Sequence, residues 1–380
     1  MRNDHQITTP HTDMRECQRL LYHGSRSFHI ASRFLPPKLR ESACGLYAFC
    51  RIADDLVDLG EDPKQALAEL HRRLDLIYAG TPQNHSVDRV LSQIVTDHRL
   101  PRGLLDALLE GFDWDTAERC YETVDDLCDY GARVAGTVGV MMAILMGVKD
   151  HATLARAADL GVAMQLTNIC RDVGEDARAG RLYLPRQLLR DYGIDPDAFM
   201  ANPSPGPKLT AVLQHLLGEA DRRYQQADSG IEKLPKTCRP GIRAARRLYA
   251  EIGHKLAAGG YDPITTRAIV TRRRKVGIVA GLFRGSEQLS DDLFAPCARE
   301  NQFLLAAVPH TEEWQRPTQP RRFSPSASWM LDLFIVLGQR DQITTERQST
   351  DHGGRLCAHR RVAVRGALKA DTREGLSITT

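Results

Sequence analysis

The sequence of 380 residues lacks several features that mark common classes of protein. It has no large excess of charge of one sign, because 51 basic residues nearly balance 48 acidic ones and leave a net charge of +3. This balance excludes wholesale electrostatic binding of nucleic acid, which needs a strongly basic surface. The 9 cysteines form no C-x-x-C pair, so we expect neither a disulfide framework nor a zinc site.

Long hydrophobic runs are also missing. The longest uncharged apolar run covers residues 134–148, which is short of the roughly 20 residues that a membrane-spanning helix needs. We therefore predict a buried helix there. The polar first residues lack the pattern of a secretory signal, and the unpaired cysteines suit a reducing compartment, so we expect a cytoplasmic protein.

The common nucleotide-binding and hydrolase motifs, G-x-G-x-x-G, the P-loop and G-x-S-x-G, are absent. Instead, apolar residues recur at intervals of three and four from residue 14 to about 285, as at Leu67, Leu70 and Leu74. This period is typical of amphipathic helices. Alternation typical of strands is scarce, so we predict an all-α fold.

The pattern changes after about residue 285. Prolines interrupt a polar stretch, and residues 339–380 are rich in Arg, Thr, Gln and Ser. We therefore predict one domain at residues 14–285 and an irregular, poorly structured tail at 286–380. Truncation after about residue 290 is predicted to leave the activity of the domain intact.

A first row of carboxylates lies in the segment YAFCRIADDLVD. Asp54 and Asp58 are four residues apart and therefore share one face of a predicted helix. Its apolar neighbours indicate a mostly buried helix, where carboxylates are unfavourable unless a cation or a donor compensates them. The pairs Asp58/Asp62 and Asp125/Asp129 have the same spacing, which we interpret as solvated helix faces or helix-end charges.

A second polar row consists of Asn168, Asp172 and Asp176, which line one helix face over about 12 Å. Gln165 lies one turn earlier, and Arg171 lies beside the row. Carboxylate and amide oxygens are the ligands that Mg²⁺ prefers, and Mg²⁺ is commonly shared with substrate phosphates. Two such rows facing each other would hold Mg²⁺ ions around a diphosphate. The alternative for either row alone is an acidic helix start or surface face.

Five segments in order resemble the squalene/phytoene synthase family, the head-to-head trans-isoprenyl diphosphate synthases. They are GSRSFHIASRFLP, YAFCRIADDLVD, YGARVAGTVGVMM, QLTNICRDVGEDARAGRLYLP, and ARRLYAEI followed by GGYD and a basic helix. The resemblance runs from about residue 23 to 276, and its third segment is most similar to bacterial members of carotenoid pathways. It implies a single isoprenoid-synthase helical bundle with a central apolar cavity.

The resemblance also implies roles for individual residues. The implied metal ligands belong to the two aspartate-rich motifs and are Asp54, Asp58, Asn168, Asp172 and Asp176. The implied catalytic groups are the four aspartates and two arginines that act on the diphosphate, namely Asp54, Asp58, Asp172, Asp176, Arg51 and Arg171. The positions implied to contact the isoprenoid diphosphate or to line its tunnel are Ser25, Arg26, Ser27, Phe28, Tyr47, Tyr130, Val134, Ala135, Val138, Gly139, Gln165 and Tyr249. Small residues such as Gly136 and Gly139 suit either a prenyl chain near the backbone or tight helix packing.

The implied reaction is the head-to-head condensation of two geranylgeranyl diphosphates, the first committed step of carotenoid biosynthesis. With Mg²⁺ or Mn²⁺, one substrate ionises and couples to the second to give a cyclopropylcarbinyl diphosphate, prephytoene diphosphate. Ionisation of this intermediate, rearrangement and loss of a proton then give phytoene. We expect no NADPH, because phytoene needs no reductant, and stimulation by ATP stays open.

Alternatives to this reaction stay open at the level of sequence. Squalene, dehydrosqualene or hydroxysqualene formation from farnesyl diphosphate uses the same motifs, and the residues at the tunnel floor that set chain length are not evident. A non-catalytic helical assembly factor would carry degraded motifs, whereas both rows are intact here. The basic residues 272–275 most often indicate a solvated helix face. With the apolar substrate, they also allow the hypothesis of peripheral contact with the cytoplasmic membrane. Carotenoid-pathway enzymes are further candidate partners, and we expect no nucleic-acid partner.

Overall fold

The computed structural model describes residues 10–24, 32, 35–59, 62–281 and 292–315. Within these ranges the chain forms α-helices joined by short turns and contains no β-strand, which confirms the predicted all-α fold. The α-helices are α1 (Pro10–Gly24), α2 (Pro37–Leu59), α3 (Pro63–Tyr78), α4 (Ser86–His98), α5 (Arg102–Thr116), α6 (Val124–Gly131), α7 (Thr137–Leu145), α8 (His151–Arg178), α9 (Arg186–Asp191), α10 (Pro196–Ala201), α11 (Pro207–Ile231), α12 (Arg239–Ala258), α13 (Arg272–Gly281), α14 (Gln302–Ala306) and α15 (Glu312–Gln315).

The described residues also form three short helical turns that are not α-helical. A π turn (Ala132–Gly136) joins α6 to α7, and two 3₁₀ turns (Asp292–Phe294 and Arg299–Asn301) precede α14. The apolar run at 134–148 forms the end of the π turn and α7, whose residues 140–145 are buried, as predicted. No helix of the described chain is both long and apolar enough to cross a bilayer.

Helix starts follow ordinary capping chemistry. The Asp62 carboxylate accepts hydrogen bonds from the backbone N–H groups of Lys64 at 3.0 Å and Gln65 at 3.2 Å, and Pro63 occupies the first turn of α3. Asp62 therefore carries the helix-end charge that the sequence predicted, although it shares the D-x-x-x-D spacing with Asp58. The same spacing of four residues therefore joins Asp54 to Asp58 in the first row and Asp58 to Asp62, which caps a helix.

Helix α8 occupies the middle of the bundle, where it packs against α7, α11, α12 and the π turn. Two glycines allow the closest of these contacts. A Cβ added to Gly161 would lie 2.8 Å from the Cα of Gly136 and closer still to the Ala135 carbonyl oxygen, and a Cβ on Gly139 would lie 3.0 Å from the carbonyl carbon of Ala157. Both glycines therefore let backbone approach backbone, so tight helix packing is one reason for glycine at these positions.

Residues 292–315 lie in the segment predicted to be a poorly structured tail, yet they pack on the bundle. Leu304, Val308 and Trp314 are buried, and Arg223 pairs with Glu300 at 2.6 Å. The packing differs from the expectation because the segment consists of helical pieces of only three to five residues, which are too short to give a clear period in the sequence. Residues 316–380 lie outside the described ranges, and the domain boundary near residue 285 stays a prediction.

The glycine contact generates a testable prediction. We expect Gly161→Ala to lower the free energy of unfolding by ~1–3 kcal/mol or more, because its Cβ overlaps the backbone of the π turn. Gly218 is the matched control, since it lies exposed in α11 with nothing within 4 Å of an added Cβ. Gly218→Ala should raise stability by ~0.5–1 kcal/mol. Urea unfolding of both variants measures the difference, and equal stabilities would contradict the packing.

Candidate active site

An apolar cavity of about 340 Å³ lies along one face of α8. The contribution of α8 runs from Thr153 to Asn168 at helical intervals, a distance of about 22 Å at 1.5 Å per residue. The other walls come from α2, the π turn with α7, α11 and α12. The cavity expected at the centre of the bundle is therefore present and is long and narrow.

Most of the predicted substrate-binding residues line this cavity. They are Tyr47, Val134, Ala135, Val138, Gly139, Gln165 and Tyr249, together with the predicted metal ligand Asn168. Among the described residues, the lining contains no carboxylate and no histidine. The walls of this apolar cavity therefore come from segments that are far apart in the sequence.

Both acidic rows begin where the cavity lining ends. On α2 the lining stops at Cys50 and Asp54 follows one turn later, while on α8 it stops at Asn168 and Asp172 follows one turn later. Tyr249 of α12 lines the same cavity as Cys50 of α2 and Asn168 of α8, the residues that lie one turn before Asp54 and Asp172. The two rows therefore converge at one polar end of an otherwise apolar cavity.

The first row is bound to its own arginine. Arg51 Nη1 lies 3.2 Å from Asp54 Oδ2, and Arg51 Nη2 lies 2.5 Å from Asp55 Oδ1. All three side chains are about 40% exposed, at 40%, 42% and 37%, so solvent and a ligand can reach them. Asp55 was not among the predicted site residues, and the side chain of Asp58 lies outside the described part of the chain.

The second row combines partly buried carboxylates with neighbouring arginines. Arg171 Nε donates to Asp172 Oδ1 at 2.8 Å. Arg267 contacts Asp172 Oδ1 at 3.1 Å and Glu175 Oε1 at 3.2 Å. Even so, burial and the neighbouring Asp172 charge raise the pKa of Asp176 to about 7. The charged form of Asp176 is therefore unfavourable in the folded chain, and this carboxyl group takes up a proton near neutral pH.

The GGYD motif explains how Arg267 reaches this row. Asp262 accepts hydrogen bonds from the backbone N–H groups of Ile264 at 3.0 Å and Thr265 at 2.9 Å, which closes the turn after α12. Gly174 of α8 lets this turn approach, because an added Cβ would lie 2.8 Å from the Cα of Ile264. The motif thus places Arg267 beside Asp172, a role that the resemblance did not supply.

The second row fits a hard divalent cation. Asn168 Oδ1 is buried and has no hydrogen-bond partner among the described residues, and the raised pKa of Asp176 marks a site that gains from added positive charge. Within the described ranges, no three His, Cys, Asp or Glu side chains lie close enough to hold a metal by themselves. Mg²⁺ usually keeps several waters and takes phosphate oxygens as further ligands, so a sparse protein ligand set suits a metal shared with a diphosphate.

Some predicted site residues lie elsewhere. Tyr130 is not in the cavity lining, since its hydroxyl donates to Asp115 Oδ2 at 2.9 Å and its ring stacks on Tyr183 at 5.3 Å. Tyr183 donates to the other Asp115 oxygen at 2.9 Å. The segment 25–28, with Ser25, Arg26, Ser27 and Phe28, lies outside the described residues, so its substrate-binding role stays a prediction.

The profile of the squalene/phytoene synthase family matches residues 21–275 of the chain. This chain belongs to the squalene/phytoene synthase family. It is 51% identical over 271 residues to a phytoene synthase of Rhodobacter capsulatus, a match that covers 70% of this chain and 80% of the relative. It is 47% identical over 350 residues to a phytoene synthase of Cereibacter sphaeroides, covering 88% of this chain and 96% of the relative.

Solved structures of the family share the fold. A dehydrosqualene synthase in complex with a ligand superposes with a TM-score of 0.67 at 29% identity, covering 72% of this chain and 96% of that one. A squalene synthase of Alicyclobacillus acidocaldarius superposes with a TM-score of 0.63 at 25% identity, covering 67% and 96%. Members of the family depend on divalent metal ions for diphosphate binding, which agrees with the oxygen-rich rows of this squalene/phytoene synthase family protein.

The charge of the second row generates a prediction about pH. The pKa of Asp176 is about 7 in the folded chain, against an ordinary value of 3.8, so the folded chain holds this proton more tightly than the unfolded chain does. The group therefore lowers the free energy of unfolding as the pH rises from about 3.8 to about 7. We expect metal-free Asp176→Asn to melt at least ~2 °C above wild type at pH 8, and the difference to shrink towards pH 4.

Calorimetry in chelator at both pH values measures this difference. Asp97, exposed on α4, provides the control variant Asp97→Asn, for which we expect no such pH-dependent gain. If Asp176→Asn had the same melting temperature as wild type at pH 8, the proposed unfavourable charge on Asp176 would be contradicted.

Proposed function

We propose that this protein is a prenyltransferase that joins two geranylgeranyl diphosphates head to head, through prephytoene diphosphate, to give phytoene in carotenoid biosynthesis. The observation that carries the proposal is the position of Asn168, which both lines the apolar cavity and begins the Asp172–Asp176 row. An apolar tunnel that opens onto an oxygen-rich row suits a prenyl chain attached to a diphosphate. The similarity to the phytoene synthases described above supports geranylgeranyl as the prenyl group.

The polar end would bind the diphosphate. Mg²⁺ or Mn²⁺, held there by Asp54, Asp58, Asn168, Asp172 and Asp176, would supply the positive charge that makes the diphosphate a good leaving group. The side chains that bring positive charge to the same end are Arg51, Arg171 and Arg267. They stabilise the negative charge that develops on the departing diphosphate.

The apolar walls would protect the carbocation. The cavity lining is aliphatic over most of its length, so it excludes water that would capture the cation. Burial raises the pKa of Tyr47 to about 12 and that of Cys50 to about 12, so both side chains stay neutral and do not act as bases. We therefore assign proton removal in the last step to the released diphosphate.

Geranylgeranyl diphosphate is favoured over farnesyl diphosphate by the comparisons. The phytoene synthases are 47–51% identical to this chain, whereas the dehydrosqualene and squalene synthases of known structure are 25–29% identical. The same catalytic groups would serve either substrate. The choice between a C40 and a C30 product therefore rests on the apolar end of the cavity.

Contacts beyond the substrate stay predictions. The basic helix α13 is the predicted membrane-facing element, but Arg274 Nε donates to Glu251 Oε1 at 2.7 Å and so shares its charge within the protein. Arg273 of the same helix is exposed on the surface. A cytoplasmic location with peripheral membrane contact, stimulation by ATP and association with carotenoid-pathway enzymes all await tests.

Turnover of defined substrates tests the proposal. With geranylgeranyl diphosphate and Mg²⁺ or Mn²⁺, we expect a C40 triene hydrocarbon in the hexane extract, identified by mass and ultraviolet absorption and lost with chelator. A C30 product from farnesyl diphosphate alone would move the protein to the squalene-type branch. Absence of turnover with either substrate would support the assembly factor instead.

Removal of single carboxylates tests the two rows. We expect Asp54→Ala and Asp172→Ala each to lower kcat by ~10²–10³-fold, with helical circular dichroism unchanged. Asp62→Asn is the matched control, because Asp62 has the same sequence spacing but caps α3, and asparagine caps a helix as well as aspartate does. Full activity of Asp172→Ala would contradict the assignment.

A further inference from the structure

The π turn at Ala132–Gly136 presents one side to the cavity and the other to residues 292–315. Val134 and Ala135 line the cavity. On the opposite side, a Cβ added to Gly136 would lie 3.3 Å from Leu304 Cδ1 and 3.5 Å from Asn301 Oδ1. A π turn is a rare, less favourable conformation than the α-helix and persists where its surroundings hold it.

Arg133, the neighbouring side chain of the π turn, contacts both residues 292–315 and α5, where it also pairs with Glu110 at 2.9 Å. The Arg133 guanidinium lies 4.0 Å from the centre of the Trp114 ring and 4.6 Å from that of Phe303, which are distances of cation–π contacts. Leu304 and Asn301 are both 0% exposed. The buried side chains of Asn301 and Leu304 therefore cover part of the back of the π turn, next to α5, which packs on it through Gly111.

The same segment supports α8 at the apolar end of the cavity. Asn301 Nδ2 donates to Asp159 Oδ1 at 2.8 Å, and Asp159 pairs with Arg156 at 2.8 Å. Arg156 lines the cavity and donates to the carbonyl oxygens of Ala295 at 3.2 Å and Pro296 at 3.4 Å. Asp159 and Arg156 are 0% and 1% exposed, so these bonds compensate buried charges that water does not reach.

We propose that residues 292–315, here named the clasp, position the reaction cavity by holding the π turn and Arg156 from behind. Asn301 and Leu304 are its positioning residues, since each is buried against the π turn and Asn301 also contacts α8. The inference rests on the proposed function for its kinetic consequences. The phytoene synthase match that covers 88% of this 380-residue chain necessarily includes these residues.

The physical consequence of losing the clasp follows from helix geometry. Relaxation of a π turn to an α-helix shifts the following residues by about one position, or ~100° around the helix axis. Val138 and Gly139, which follow the π turn and line the cavity, would then turn relative to it, and Asp159 would lose the Asn301 donor. The clasp therefore argues against the expectation that truncation after about residue 290 preserves activity.

Point variants of the full chain test the clasp. We expect Leu304→Ala and Asn301→Ala to speed amide hydrogen exchange across residues 132–140 by about tenfold and to lower kcat by ~10–100-fold with little change in KM. Leu304→Met, which conserves volume, should restore both readouts. Gln302→Ala is the exposed neighbour and should match wild type.

A further control separates positioning from general loss of stability. Leu70→Ala removes a fully buried side chain of α3 that does not line the cavity, and it should lower the melting temperature without faster exchange at 132–140. If Leu304→Ala fails to fold, Leu304→Val provides the same comparison. Unchanged exchange at 132–140 in the Leu304 and Asn301 variants would overturn the proposal, whereas a wild-type protein without turnover would overturn only the proposed function.

Discussion

The negative charge along the second acidic row is the interaction on which the rest of this structure depends. Asp172 and Asp176 lie one turn apart on a central helix, and the arginines nearby leave Asp176 with a raised pKa. A purely structural protein would gain stability by replacing such groups. In the proposed function, a divalent cation and a diphosphate would complete the charge balance of this row, and the cost in the fold without them would then be linked to substrate binding.

The apolar cavity and the polar end are consequences of the same helix. One face of α8 carries small and aliphatic residues up to Asn168 and then continues as the acidic row. Gly139 and Gly161 bring the π turn and α7 against this helix, so the wall of the cavity is held by backbone contact. An elongated apolar space that ends at a charged row matches a long prenyl chain with a diphosphate head.

Much of the fold and the polar end could be predicted from sequence because they depend on local spacing. Helical periodicity identified the all-α architecture, and four-residue spacing placed Asp172 and Asp176 on one face. Arg267 and the clasp escaped prediction, since their contacts join residues that are distant in sequence. Asp55 pairs with Arg51 at a regular spacing of four residues, but it lies off the helix face that Asp54 and Asp58 share. The hydrogen bond from the Tyr130 hydroxyl to Asp115 was likewise not evident from sequence, and the substrate contact that the motif implies for Tyr130 stays a prediction.

Binding of inorganic diphosphate measures the central claim most directly. Calorimetric titration with and without Mg²⁺ should show binding to wild type only when the cation is present, and loss of that binding in Asp176→Asn and Asp172→Asn. The helix-capping variant Asp62→Asn should bind as wild type does. Equal binding of diphosphate in chelator, or undiminished binding by the two acidic-row variants, would contradict the account that this row is a shared metal and diphosphate site.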